Sequence, residues 1–262
     1  TFSIFPSTLA LAEATANVHT GMLRFTYPEN EKARIIMNFS RRIGGKADFE
    51  EINIVNETTV EGKIICTPKG GGFGHGDGKI TYDFYFVCEL SHKPSKMQFF
   101  SDEEYQAENL TEFSAEDVGL ILDFGNELGE PVVLRCGISY TSLEGARLNL
   151  KSEMTGFDFD TQRKRASNLW SEVFDAIDVE GSNETDLKLF YTCLYHVLLD
   201  PRVSADVDGS FTLNGKAIRD DGYTHRTVFS GWDVYRSEFP LLSIIRPDIV
   251  NDEVNSLLRI AE

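Results

Sequence analysis

The chain has 262 residues, of which 41% are hydrophobic, 26% charged and 11% aromatic, and its formal net charge is -17 at pH 7. This composition is typical of a soluble globular protein with one or two domains, and the negative charge argues against nucleic acid as a partner because it repels phosphate backbones. The sequence contains no run of about 18 apolar residues, which excludes a helical membrane span.

The first half of the chain consists of short runs in which apolar and polar residues alternate. Gly, Asn and Pro bound these runs, and β-branched and aromatic residues are frequent in them, as is typical of strands. The predicted strands cover residues 22–27, 33–39, 51–55, 58–66, 79–90 and 132–140, and residues 1–20 are expected to add one more. Many strands without intervening helices predict an antiparallel β-sandwich, to which residues 1–140 are assigned.

Two inserts interrupt the predicted sandwich. The glycine-rich segment 69–78 is either a flexible hairpin connection or a loop that brings His75 to a ligand. It lacks the Gly-Lys-Ser/Thr ending of a phosphate-binding loop. The segment 102–117 contains seven acidic residues and no Lys or Arg, which predicts a solvated loop.

The four cysteines form no Cys-x-x-Cys pair, and none lies near a histidine at the spacing of metal ligands. Cys66, Cys88 and Cys136 each lie within or at the end of a predicted strand. We therefore interpret these three as buried thiols, which is the usual environment of a free cysteine.

Beyond the predicted sandwich, apolar residues recur at spacings of three and four, which predicts helices. Residues 141–182 are interpreted as a linker that contains one helix, from about residue 158 to 176. A second helix is expected to begin after Ser182 or Asn183, either of which can cap it, and to end before Pro201.

The next residues carry two tight-turn dipeptides, Asp208-Gly209 and Asn214-Gly215, which predict a β-hairpin. The run from Asp206 to Gly209 is similar to the opening of a calcium-binding loop, but the later ligands of such a loop are absent. The hairpin is the favoured interpretation, with a metal loop as the alternative. A third helix is predicted after Ser230 and a fourth from about Ile249.

The run from Phe229 to Asp233, which reads Phe-Ser-Gly-Trp-Asp, is the strongest candidate site. Ser230 can cap the third helix, and the free N–H groups of a first helical turn suit the Asp233 carboxylate. An indole beside a carboxylate is a common sugar-binding pair, because the ring covers an apolar sugar face and the carboxylate accepts hydrogen bonds from hydroxyl groups. The alternative is a capped helix with a buried tryptophan.

Two longer stretches resemble glycoside hydrolase family 92, the exo-acting α-mannosidases. They are residues 195–209, with Asp-Pro-Arg followed by Asp-Val-Asp-Gly, and residues 226–242, with the Gly-Trp-Asp run. Residues 137–150 and 157–160 are similar to that family's link between domains, and residues 84–90 are similar to one strand of its sandwich. The resemblance covers most of the chain from about residue 20 and is closest in the second half.

The resemblance implies an α+β multidomain fold, an antiparallel β-sandwich followed by the first helices of an (α/α)6 barrel. Residues 183–262 are then the truncated start of the barrel, which is the catalytic domain. The lack of an initiator Met and the small number of helices lead us to expect an internal fragment. The resemblance also implies that the parent protein is a calcium-dependent, inverting exo-α-mannosidase that acts on mannose-containing glycans in the periplasm, at the cell surface or after secretion.

An inverting glycosidase needs a general acid and a general base far enough apart to admit a water molecule. In the family, both carboxylates and most calcium contacts come from later barrel helices. The resemblance therefore assigns no catalytic residue and no metal ligand to this chain, and we expect the fragment by itself to be inactive. It implies only that Asp233 accepts hydrogen bonds from mannose hydroxyls and that Trp232 forms a wall of the pocket. Relatives often have a larger residue at the position of Gly231.

Two other functions fit the same residues. One is a non-catalytic carbohydrate-binding or scaffold module, in which the β-sandwich is the functional unit. The other is a different glycosidase built from a sandwich and an (α/α)6 barrel, because a fold alone does not define a function.

Overall fold

The computed structural model describes residues 2–4, 10–42, 45–66, 81–102, 104–126, 128–181, 183–227 and 231–262. The chain forms two compact units, Thr1–Arg163 and Lys164–Glu262. The first is rich in antiparallel strands and the second in helices, so the fold is α+β, as predicted. The glycine-rich segment with His75, and the candidate caps Ser182 and Ser230, lie outside the described residues.

The first unit contains the strands of a two-layered antiparallel architecture. They are β1 Phe2–Ile4, β2 Leu11–Ala16, β3 Thr20–Thr26, β4 Ala33–Asn38, β5 Arg41–Arg42, β6 Gly45–Lys46, β7 Phe49–Asn56, β8 Thr59–Cys66, β9 Tyr82–Leu90, β10 Lys96–Ser101, β11 Glu104–Tyr105, β12 Glu112–Ala115, β13 Val118–Gly125 and β14 Val132–Ser139. Among the described residues, one sheet has the order β1-β2-β3-β14-β9-β8-β7-β12 and a second has the order β11-β10-β13-β4. The strands predicted from alternation are present within a few residues of their predicted bounds.

The two sheets bury a common apolar core between them. Along β13, Val118, Leu120 and Leu122 have no exposed surface, and they pack with Ile52 and Val60 of the larger sheet. Because neighbouring side chains on a strand point to opposite faces, this spacing of two directs one whole face inward. Each such side chain contributes roughly 1.5–3 kcal/mol by leaving water.

The outer face of the larger sheet is covered by a helix that the sequence reasoning did not predict. This helix, α1, spans Leu143–Glu153, so the predicted linker 141–182 contains more than one helix. Its first turn is capped by Ser142, whose Oγ accepts a hydrogen bond from the N–H of Gly145 at 3.0 Å. The buried cluster between helix and sheet consists of Met22, Val87, Val133, Ala146, Leu150, Met154 and Phe159.

A glycine lets α1 approach the sheet this closely. A Cβ atom on Gly137 of β14 would lie 2.5 Å from the carbonyl oxygen of Ala146 and 2.7 Å from Cβ of Leu150. No side chain fits at that distance, so the absence of a Cβ at this position determines how the helix packs.

The acidic segment 102–117 is not only a solvated loop, and this prediction was incomplete. Residues Glu112–Ala115 form β12, which pairs antiparallel with β7 at the edge of the larger sheet. Phe113 packs against the core, with its ring centroid 5.7 Å from that of Phe99. The apolar Phe113 and Ala115, two positions apart, supply the buried face that a strand requires, whereas the acidic residues around them are exposed.

The remaining elements are mainly helical. They are α2 Phe159–Phe174, α3 Glu184–Val197, β15 Ser210–Leu213, β16 Lys216–Arg219, α4 Gly231–Val234, α5 Glu238–Ile245 and α6 Pro247–Ala261. Asn183 caps α3 as predicted, since its Oδ1 accepts a hydrogen bond from Thr185 N–H at 3.0 Å. Among the described helices, none is long and apolar enough to cross a membrane.

The predicted third helix was wrong in one respect, because it is divided into α4 and α5. Pro240 lies in the first turn of α5. The N–H groups of a first turn make no intrahelical hydrogen bond, so the absence of an N–H on proline costs no bond there. In a helix continued from α4, Pro240 would remove a hydrogen bond to the carbonyl of Arg236 and clash with it. The chain therefore leaves the helix after Val234 and starts again at Glu238.

The predicted hairpin is confirmed. Strands β15 and β16 pair antiparallel, with Leu213 opposite Lys216 at the turn. Asn214 and Gly215 have φ angles of 51° and 72°. Two successive positive φ angles are those of a type I′ turn, which suits the right-handed twist of the strands it joins.

Candidate functional site

The segment that precedes the Trp-Asp run is paired with residues that follow α3. Val203 and Arg226 form an antiparallel bridge. Thr227 N–H donates to the carbonyl of Arg202 at 2.8 Å, and Ser204 N–H donates to the carbonyl of His225 at 2.9 Å. These bonds hold residues 224–227 in an extended conformation.

The same segment is attached to α6 by polar contacts. Arg226 donates from Nε and Nη2 to Oδ2 of Asp252, at 3.1 and 3.0 Å. Its backbone N–H donates to the Ser256 hydroxyl at 3.0 Å, and Thr224 N–H donates to Oδ1 of Asp252 at 3.0 Å. Side chains on one face of α6 thus hold Thr224 and Arg226 in place.

His225 lies in the interior of this arrangement. Its ring stacks on Phe211 of β15 with centroids 3.8 Å apart, and its Nδ1 lies 2.9 Å from the Ser204 hydroxyl. Burial lowers the pKa of His225, so the imidazole is neutral at physiological pH. A neutral, stacked histidine supports the hairpin and the segment beside it.

Glu253 is a residue that the sequence reasoning missed. It is 1% exposed, and burial raises the pKa of its carboxyl to about 7, although the positive charge of Arg226 opposes that shift. Its Oε2 atom has no hydrogen-bond partner. The sequence did contain a signal, because Glu253 lies four residues after Ile249 and three before Ser256, and all three are buried on one face of α6.

Trp232 and Asp233 lie next to each other in the four-residue helix α4. The Trp232 side chain is 82% exposed, and Asp233 is also exposed. The buried tryptophan of the alternative interpretation is therefore wrong, whereas its cap at Ser230 lies outside the described residues. Consecutive helical residues point about 100° apart, so the indole and the carboxylate form adjacent sides of a surface and do not stack on each other.

An open groove of about 610 Å³ lies beside α3. Its walls are formed mainly by aromatic and aliphatic side chains, and its rim carries a Glu184–Lys188 ion pair with an N···O distance of 2.8 Å. The lining residues are Phe174, Glu184, Leu187, Lys188, Tyr191, Thr192 and Tyr195. Neither Trp232 nor Asp233 contributes to it, so the groove and the Trp-Asp run are separate features.

The acidic residues of the described ranges do not gather into a metal-binding cluster. Within the described ranges, no three His, Cys, Asp or Glu side chains are grouped so as to hold a metal ion. The Asp206–Gly209 run forms the turn into the hairpin, with Gly209 N–H donating to the Asp206 carbonyl and Ser210 N–H donating to Oδ1 of Asp208. Burial acts to raise the pKa of Asp208, but the hydrogen bonds from Ser210 outweigh it and lower the pKa.

Family models match both halves of the chain. Residues 4–139 match the glycosyl hydrolase family 92 N-terminal domain, and residues 145–262 match the glycosyl hydrolase family 92 catalytic domain. No curated protein matches the chain significantly.

Solved structures of several α-mannosidases have the same fold. The family GH92 α-mannosidase BT3965 from Bacteroides thetaiotaomicron is 28% identical, with a TM-score of 0.86 over 96% of this chain and 34% of its own. The same enzyme in complex with mannoimidazole gives a TM-score of 0.85 over 96% of this chain and 33% of its own. The family GH92 inverting mannosidase BT2199 from the same organism is 20% identical, with a TM-score of 0.83 over 98% of this chain and 34% of its own. The chain thus spans about a third of the length of the structures it matches.

Proposed function

Because the chain belongs to glycoside hydrolase family 92, we propose that it is part of an exo-α-mannosidase that hydrolyses terminal α-mannosyl residues of glycans. The observation that carries this proposal is the match of residues 145–262 to the family's catalytic domain. The 28% identity to an α-mannosidase over 96% of the chain supports the same activity. The complex of that relative with mannoimidazole supports a mannose-containing glycan as the substrate.

Trp232 and Asp233 are proposed to contact the terminal mannose. An exposed indole can cover the apolar face of a sugar ring, and an exposed carboxylate can accept hydrogen bonds from two neighbouring hydroxyl groups. The contacts of Arg226 and Thr224 with α6 support this role, because they hold the preceding segment in place. Gly231 adds no side chain beside the indole, and we propose that this leaves the pocket wider than in relatives with a larger residue there.

Inversion of configuration and calcium dependence are finer parts of the proposal and rest on the family resemblance. Inversion requires two carboxyl groups roughly 6.5–9.5 Å apart, one as general acid and one as general base. No described residue of this chain is assigned either role, and no described cluster of side chains fits calcium. A bound calcium ion would supply positive charge that coordinates oxygen atoms of the sugar. The resemblance also motivates the proposal that the enzyme acts in the periplasm, at the cell surface or after secretion.

The decisive experiment measures turnover of an α-linked mannobiose by the protein that contains these 262 residues. We expect mannose release, with β-mannose as the first anomer seen by proton NMR, and loss of turnover when calcium is chelated. We expect no turnover by the 262-residue chain alone, since it spans about a third of the length of the matched structures.

Other outcomes lead to different conclusions. If the longer protein hydrolyses no α-mannoside but the 262-residue chain binds mannose, the non-catalytic carbohydrate-binding module replaces the enzyme. If the longer protein cleaves a different glycoside, the hypothesis of another glycosidase replaces that of an α-mannosidase. Release of α-mannose first would contradict inversion while leaving the substrate class intact.

A further inference from the structure

Two cysteines of neighbouring strands lie directly opposite each other. Cys88 of β9 is the register partner of Cys136 of β14. Along the same two strands, Ser91 lies opposite Val133, and its N–H donates to the Val133 carbonyl at 2.8 Å. Ser91 and Val133 are therefore a hydrogen-bonded residue pair. Hydrogen-bonded and non-hydrogen-bonded pairs alternate along antiparallel strands, so Cys88 and Cys136, three positions away, form a non-hydrogen-bonded pair.

This type of pair has the spacing that a disulfide needs. Directly opposite residues of a non-hydrogen-bonded pair have Cα atoms about 4.5 Å apart, and disulfides join Cα atoms roughly 4.4–6.8 Å apart. Both side chains point to the inner face of the larger sheet, where Cys88 belongs to the core and Cys136 packs against it. The ideal spacing of such a pair therefore lies within the range that a disulfide spans.

The two thiols influence each other's protonation. The neighbouring Cys136 thiol and burial raise the pKa of Cys88 well above its usual value. The Cys136 thiol in turn donates to the carbonyl of Gly137 at 3.7 Å. Side chains of directly opposite residues on one face of a sheet are neighbours, so the register places the two thiols side by side.

We propose that Cys88 and Cys136 are a dithiol site that a low-molecular-weight disulfide, such as oxidised glutathione, converts to a cross-strand disulfide. The Cys136 thiolate attacks one sulfur of the oxidant, which forms a mixed disulfide and releases one glutathione thiolate. The Cys88 thiolate then attacks the Cys136 sulfur, which closes the protein disulfide and releases the second. The two protein thiols lose two electrons and two protons, and the oxidant becomes two glutathione thiols.

Cys136 is the thiol that the oxidant reaches first. It is partly exposed, whereas only 5% of Cys88 is exposed. On its other side, Cys136 lies opposite Gly21 of β3. The space beside Gly21 is open, because a Cβ atom added there would have no other atom within 4 Å. The neighbouring Cys136 thiol and burial raise the pKa of Cys88, so closure is expected to accelerate as the pH rises.

The other two cysteines do not compete for this bond. Cys66 lies opposite Tyr82, six residues along β9 from Cys88, which corresponds to about 20 Å at 3.4 Å per residue. Cys193 is exposed on α3, in the second compact unit. The proposal is independent of the proposed mannosidase activity, since it concerns the sandwich alone.

The test incubates the 262-residue chain, carrying Cys193→Ser to prevent bonds between molecules, with oxidised glutathione at pH 8. After alkylation and peptide mass analysis without reductant, we expect one of three thiols to remain, at Cys66, and a peptide that joins Cys88 to Cys136. The cross-link shortens the accessible unfolded chain, so we expect the guanidinium midpoint to rise by roughly 1 M. Reductant should restore the original midpoint.

Two variants distinguish this site from random oxidation. Cys88→Ser should stop the reaction at the first step and retain one glutathione on Cys136, whereas Cys136→Ser should leave Cys88 unmodified. A matched control, Cys66→Ser, changes another buried strand cysteine and should still form the bond. The proposal is overturned if the unsubstituted pair remains fully alkylatable after oxidation, or if a mixed disulfide persists on Cys136 with Cys88 present.

Discussion

Asp252 of α6 binds Arg226 through one carboxylate oxygen, which receives hydrogen bonds from both Nε and Nη2 of the guanidinium. The side chains are only 12% and 15% exposed, so the pair is largely removed from water. Asp252 also accepts a hydrogen bond from Thr224 N–H, so α6 is attached to two residues of the segment 224–227. The packing of one helix thus fixes the position of that segment.

We predict that Asp252→Ala destabilises the second compact unit by roughly 2–4 kcal/mol, because it leaves the Arg226 guanidinium without its partner in a mostly buried place. The free energy of unfolding can be measured by guanidinium denaturation followed by circular dichroism. Asp200→Ala is the matched control, since its ion pair with Arg202 is exposed and should be worth about 1 kcal/mol or less. Equal losses in the two variants would contradict a structural role for the buried pair.

Glu253 should make stability depend on pH. Its pKa is raised from 4.5 to about 7 in the folded chain. The contribution of Glu253 to the free energy of unfolding is therefore fully present below pH 4.5. It is lost as the pH rises from 4.5 to about 7, and it remains absent at higher pH. The loss is roughly 3 kcal/mol, from about 1.4 kcal/mol per pKa unit.

Glu253→Gln tests this dependence, because glutamine imitates the neutral acid at every pH. We expect the variant and the natural chain to have the same free energy of unfolding near pH 4.5. Above pH 7, we expect the variant to have the higher free energy of unfolding. Urea denaturation at several pH values supplies the comparison. A constant difference across that range would show that the Glu253 carboxyl does not bind a proton on folding.

Gly137→Ala should separate α1 from the sheet. The new Cβ would lie 2.5 Å from the Ala146 carbonyl oxygen, and the required shift should cost roughly 1–3 kcal/mol. Gly21→Ala is the control in the neighbouring strand, where the added Cβ meets no atom within 4 Å. Thermal unfolding of both variants gives their midpoint temperatures. A midpoint for Gly137→Ala as high as that of the control would contradict the close approach of α1 to β14.

Trp232 and Asp233 should affect sugar binding and leave stability almost unchanged. Both are exposed, so Trp232→Ala and Asp233→Asn should each change the free energy of unfolding by no more than about 0.5 kcal/mol. In the intact enzyme, Asp233→Asn should reduce kcat/KM for an α-mannoside by at least about tenfold, which corresponds to one lost charged hydrogen bond of about 1.4 kcal/mol. Asp221→Asn, at an exposed position, is the control and should retain full activity.

Much of the sandwich could be predicted because its signals are local. The predicted strand 58–66 is bounded by turn residues and rich in β-branched side chains, and it forms β8, while the Asn214-Gly215 turn carries residues that accept positive φ. The Asn183 cap was also readable, since a side chain two residues before a free N–H is enough to form it. Each of these features depends on neighbours in the sequence.

Other features were not readable because they depend on distant residues. Helix α1 is stabilised by its cluster with Met22, Val87 and Val133 and by the missing Cβ of Gly137, all of which come from the sheet beneath it. The exposure of Trp232 was likewise unpredictable, since an indole after a helix start can point to the core or to solvent. Local propensity is similar for both cases, and only the surrounding packing distinguishes them.

By itself, the sequence determined most strands of the larger sheet, the Asn183 cap, the Asn214-Gly215 turn, and the family to which the Gly-Trp-Asp run belongs. Only the tertiary structure decided that Asp252 pairs with Arg226, that Glu253 is buried, and that Cys88 lies opposite Cys136. The physical reason is that periodicity and capping are short-range, whereas burial, pKa and strand register depend on which distant residues share a surface.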